Sequence, residues 1–245
     1  MTHAMAKGAN LTLRAAAVRA VLRWHPGPAV PDVDASVLLL GADGRVRSDD
    51  DFVFYNQPRH PSGTVRKLPK QSRTDGLTDS IEVRLESQAA DVGRLVLAAS
   101  SDQGTFDQVS DLRVLLYDAG APGAEPFAYF DITPETGRET ALICGEFYRR
   151  EGGWRFRALG QGYDSGLVGL ATDFGISVDE EAAAAAQEPP APQPAPQPVP
   201  QSAQPHPAPP QQPPPPPSHP APAPVGYGYP PAFTLPPQGP QFIGR

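Results

Sequence analysis

The residues with the most chemistry to offer are aspartates. Asp32 and Asp34 stand two apart, so on an extended chain their carboxylates point the same way. Asp49, Asp50 and Asp51 form a second acidic knot, followed by Asn56. Asp75 and Asp79 lie in a third segment, Thr74–Asp79. Such donors suit a hard cation such as Ca²⁺, which takes six to eight oxygens at about 2.3–2.6 Å. Gathered carboxylates repel one another unless a cation sits between them, and that repulsion is the physical case for a site. The competing explanation is that aspartates end strands because they favour turns. Residue types alone leave both readings open.

Other chemistries find less support. Gly160-Gln-Gly162-Tyr-Asp-Ser165 follows a strand signal and opens a helix, the setting of a dinucleotide-binding loop. The third glycine is a serine, however, and no βαβ unit surrounds it. Ser165 also comes one place late for a G-x-S-x-G nucleophile elbow. His3, His25 and His60 sit near loops or prolines, with no pair at i, i+4, so neither a zinc site nor a Ser/His/Asp arrangement is expected. Cys144, in the apolar run Ala141–Cys144, reads as a small buried hydrophobe. The chain is expected not to be an enzyme. Its Gly160 and Gly162 are explained by a helix lying close against a sheet.

Composition divides the chain in two. Of 33 prolines, 24 lie after residue 180. The part before is large enough to bury about 70% of its unfolded surface without a staple. The net charge is −7, nearly all of it before residue 181, which argues against a nucleic-acid partner because such binding needs a basic patch. A single cysteine permits no intramolecular disulfide and fits a reducing, cytoplasmic setting. No signal peptide is expected, and no apolar run reaches membrane-spanning length: Arg14, Arg19 and Arg23 break the first one. From Glu181 onward the repeats of Pro, Ala and Gln favour an extended, solvated polyproline II conformation. The Pro-x-x-Pro spacings there suit either a partner that recognises polyproline II or a spacer.

Elements must position the aspartates, and period-two alternation supplies them. Strands are expected over residues 7–13, 34–40, 52–55, 80–85, 94–99, 112–117, 127–132, 140–149 and 154–159. In Ser80–Leu85 the residues Ile81, Val83 and Leu85 face one way, Glu82 and Arg84 the other. Glu151-Gly152-Gly153 makes a hairpin of the last two strands. Gly160–Gly162 is expected to break the final strand. A helix follows, capped by Asp164 or Ser165, with Leu167, Leu170, Ala171 and Phe174 on one face and Gly175 at its end. Residues 58–73 are polar, basic and aperiodic, and read as a loop. Residues 14–24 suit either period. Nine or ten strands and one helix in this length imply an all-β, two-sheet sandwich.

Four segments in order carry a resemblance: Lys7–Leu13 (KGANLTL), Asp32–Ser36 (DVDAS), Asp51–Asn56 (DFVFYN) and Gly145–Val178 (GEFYRREGGWRFRALGQGYDSGLVGLATDFGISV). Together they resemble the TerD family of bacterial tellurite-resistance and stress proteins. The resemblance implies a β-sandwich domain over residues 5–179, with residues 14–24 as a strand and Met5 as the usual family start. A disordered Pro-rich tail over 180–245 follows. It also implies calcium binding: Asp32 and Asp34 match the family's Asp-x-Asp, Asp49 or Asp51 its acid before Phe-Val-Phe, and Asp79 one acid of a later set. This chain departs from the pattern where Leu68-Pro69-Lys70 replaces Gly-Asp-Asn and where Gly76-Leu77-Thr78-Asp79 keeps one acid of three. Lys67, Lys70 and Arg73 add positive charge nearby. The expected metal residues are Asp32, Asp34, Asp49, Asp51 and Asp79, with Ca²⁺ binding weakened, reduced to one site or lost. The function implied is a non-enzymatic, Ca²⁺-responsive interaction module with protein partners, in a complex near the membrane. The alternative is a metal-free adaptor that recruits partners through its tail.

Overall fold

A computed structural model describes residues 2–176. The expected tail and the boundary at residue 179 lie outside the described residues. Twelve strands appear: β1 (His3–Met5), β2 (Asn10–Leu13), β3 (Ala17–Trp24), β4 (Asp32–Leu40), β5 (Phe52–Val53), β6 (Val65–Arg73), β7 (Gly76–Arg84), β8 (Arg94–Asp102), β9 (Arg113–Asp118), β10 (Ala128–Asp131), β11 (Ala141–Arg150) and β12 (Gly153–Tyr163). One helix, α1 (Gly166–Asp173), follows. They form two six-stranded sheets, ordered β1-β10-β9-β3-β7-β6 and β2-β12-β11-β8-β4-β5. The fold is the all-β sandwich that the alternation implies. No helix among the described residues is long and apolar enough to cross a membrane.

The core lies between the sheets. Alternate residues of β4 (Val33, Ala35, Val37, Leu39) meet Leu22, Trp24, Ile81, Val83, Phe147 and Phe156 there. The other face of the second sheet is apolar too. Leu38, Leu40, Val96, Ala98 and Ile143 pack beneath Leu170, with Leu167, Phe174 and Ile176 alongside. Burial on both faces is why Val37-Leu-Leu-Leu40 reads as a continuous apolar run. Gly175 ends the helix at φ 91°, as a C-terminal cap requires.

Three segments differ from expectation. Residues 65–73 form a strand, not a loop. β6 is an edge strand, with β7 on one side and a single bridge from Arg59 to Arg66 on the other, so its outward residues can be polar, and its one proline is tolerated where the register shifts between Leu68 and Gln71. β12 continues through Gly160–Gly162 to Tyr163, because Gly160 takes a left-handed φ of 66° and the register with β11 shifts between Ile143 and Gly145 to absorb it. β1 pairs in parallel with β10 and buries Met5; three residues are too few to show a period.

A candidate cation site filled by two lysines

β4 leaves part of its edge bare. Its partner β5 pairs with Val37 and Leu38 alone, so the stretch from Asp32 to Ser36 has no strand on that side. The amide of Ala35 donates there to Asp79 Oδ2 at 2.8 Å. Asp79 comes from β7 of the other sheet and is fully buried. Its Oδ1 accepts from the amide of Ser80 at 2.9 Å. The carboxylate therefore spans the gap between the sheets.

Two ammonium groups complete the arrangement. Lys67 Nζ donates to Asp79 Oδ2 and lies 3.5 Å from Asp34 Oδ1. Lys70 Nζ lies 2.5 Å from Asp32 Oδ2 and 3.1 Å from Asp34 Oδ1. Exposure rises outward along the cluster, from 0% at Asp79 and 8% at Lys67 to 58% at Asp32. Burial alone would lower the Lys70 pKa, but its hydrogen bonds to Asp32 and Asp34 outweigh that and hold it above the ordinary lysine value. In a regular strand residues three apart face opposite sides. The register shift between Leu68 and Gln71 turns both lysines toward the aspartates.

Asp32, Asp34 and Asp79, three of the five expected metal residues, thus converge. The fit to Ca²⁺ is poor. The carboxylate oxygens that point into the cluster each face an ammonium, and two positive charges already stand against three negative ones. Among the described residues, no group of three or more His, Cys, Asp or Glu side chains is arranged to hold a metal ion.

Asp51 has a different setting. It is buried at the end of a single turn of 3₁₀-helix, Asp49–Asp51, between β4 and β5. Arg47 grips it with two bonds, Nη2 to Oδ1 at 2.6 Å and Nε to Oδ2 at 2.8 Å, and the Arg47 amide adds a third at 2.8 Å. His60 Nε2 stands 3.0 Å from Oδ1. Burial would raise the Asp51 pKa, yet these bonds overcome it and keep the carboxyl below its usual value. Asp49 opens the same turn, and its carbonyl accepts from Gln57 Nε2 at 3.2 Å. Asp75, at the tip of the β6–β7 hairpin, pairs with Arg23 at 2.8 Å.

Cys144 and Asp164, both singled out in the sequence, have plain settings. Cys144 is fully buried, and burial pushes its thiol pKa up, away from a reactive thiolate. Asp164 meets Arg138 at 3.2 Å on the surface. Sequence reasoning treated Lys67 and Lys70 only as nearby positive charge. Their spacing around Pro69 was the available signal, since a proline in an edge strand marks a place where the facing of side chains changes.

Comparison with known proteins agrees with this architecture. The TerD domain family matches residues 1–174. Tellurium resistance protein TerD of Serratia marcescens is 32% identical over 192 residues, covering 72% of this chain and 99% of the relative. General stress protein 16U of Bacillus subtilis (strain 168) is 33% identical over 154 residues, covering 60% and 79%. The crystal structure of a homologue of telluride resistance protein (TerD) from Streptomyces coelicolor A3(2) shares the fold at a TM-score of 0.50 and 24% identity, covering 64% of this chain and 95% of that one. These relatives carry resistance and stress names, none of them enzymatic. With a family match across the whole described sandwich, the chain belongs to the TerD family.

Proposed function

We propose that this chain serves tellurium resistance or the general stress response as a non-enzymatic interaction module that works without Ca²⁺. One observation carries the reading: the acidic cluster holds Lys67 and Lys70 against Asp32, Asp34 and Asp79. A cation site needs its carboxylate oxygens turned toward one ion. Here they are turned toward two ammonium groups on the chain itself. Partner recruitment falls to the proline-rich segment after residue 180, whose Pro-x-x-Pro spacings suit a groove that reads polyproline II.

Two readouts on the full chain test this. Its melting temperature is expected to be the same in millimolar Ca²⁺ and in chelator; an upward shift in Ca²⁺ would overturn the metal-free reading. Expression in a bacterial host lacking its own copy is expected to restore survival on tellurite. Equal survival with an empty vector would remove the resistance role.

A further inference from the structure

A cavity of about 350 Å³ opens on the outer face of the first sheet, lined by none of the five residues of the lysine cluster. Register explains it. Val21 lies opposite Ser80 on one side and Leu115 on the other. All three belong to the face that points away from the core, yet each is less than a tenth exposed. They form a floor that is part apolar and part hydroxyl. The volume falls in the range of small-molecule sites, roughly 300–1,000 Å³.

The walls are rich in guanidinium. Arg19, Arg23 and Arg73 all line the cavity. Arg23 has Asp75 as its own counter-charge. The Arg73 guanidinium donates to the neutral Gln71 Oε1 at 2.7 Å and lies in the field of Asp75, which Arg23 binds directly. Arg19 stands 3.6 Å from Glu82, which Arg66 holds more closely at 2.8 Å. The Arg19 Nε–H is shielded from solvent and has no hydrogen-bond acceptor among the described residues. The Arg19 side chain is nevertheless 40% exposed, so part of it stays open to the cavity it lines. The lining carboxylates, Asp75 and Glu125, number one fewer than the guanidiniums. Burial raises the Tyr117 pKa despite the nearby arginines, which keeps its hydroxyl a neutral donor.

We propose that this cavity binds a small organic anion: an oxyanion group held by Arg19 and Arg73, with a compact apolar body on the Val21–Leu115 floor. Guanidinium suits this task because its planar donors match two oxygens of a carboxylate or phosphate at once. The site is independent of the lysine cluster, so its failure and that of the metal-free reading are separate results.

Phenyl phosphate and inorganic phosphate are suitable probes, added to the full chain at constant ionic strength while arginine Nε–H resonances are followed by NMR. Phenyl phosphate is expected to shift the Arg19 and Arg73 signals saturably, leaving that of Arg138, in the β10–β11 loop and paired with Asp164, in place. Arg73→Gln, at an exposed position, is expected to weaken binding about tenfold, the loss of one charge-assisted pair. An absence of saturable shifts, or equal movement of Arg138, overturns the proposal. Inorganic phosphate binding as tightly as phenyl phosphate overturns the part assigned to the apolar floor.

Discussion

Replacing Lys67 with Met keeps the apolar stem and removes the ammonium. Asp79 then stays fully buried, with the amides of Ala35 and Ser80 as its remaining donors. Removing one partner of a buried ion pair costs about 3–5 kcal/mol, because the other charge is left uncompensated. The two amides put the expected loss at the lower end, about 3 kcal/mol. For a domain of this size each kcal/mol moves the melting temperature by about 2–4 °C, so the loss corresponds to about 6–12 °C. Circular-dichroism melting of the full chain in chelator measures it. A second variant, Lys67→Met with Lys70→Met, asks whether the three aspartates can use an external ion instead. Ca²⁺ at a hundredfold excess over Kd would return about 2.7 kcal/mol. Were Lys67→Met to melt within about 2 °C of the parent, less than the smallest shift worked out above, Asp79 would not depend on Lys67 and the reasoning would fail. A double variant blind to Ca²⁺ would show that the lysines do not stand in a cation's place.

Asp51→Asn should flatten the acid limb of stability. The Asp51 carboxyl is held below its ordinary value, so its contribution is present above about pH 4 and is lost as pH falls through the folded value; melting from pH 6 to pH 2 checks this. Gly76→Ala should destabilise by about 1–3 kcal/mol, measured by urea unfolding, because Gly76 sits at φ 136° and an added Cβ would collide with the Trp24 carbonyl. Cys144 should resist a thiol reagent in the native protein and react only at the rate of unfolding; prompt labelling would contradict its burial.

The sandwich was legible where a strand has a clear burial pattern. β7 alternates because one face meets the core, and β4 runs apolar because its other side is buried too, in a second cluster with Phe52 and Leu170. β6 was not legible. Its inward position at Lys67 is a cation serving buried acids, so hydrophobic periodicity has nothing to register there. The candidate site divides in the same way. Asp32 and Asp34 share a side by simple alternation, whereas Asp79 joins them only through packing of one sheet on the other. Asp51 belongs to a knot that resembles a ligand set from spacing alone. The close approach of Arg47, four residues earlier, gives it a different role.

The bare stretch of β4 has a consequence for how the protein behaves among copies of itself. An exposed strand edge offers unpaired amides to any other extended chain, and such edges seed aggregation. Here Asp79 takes the Ala35 amide, and Lys67 and Lys70 lay charge along the opening. The cluster thus works as a guard on the sheet's open side. Weakening it should show first as concentration-dependent oligomers, before the sandwich itself comes apart.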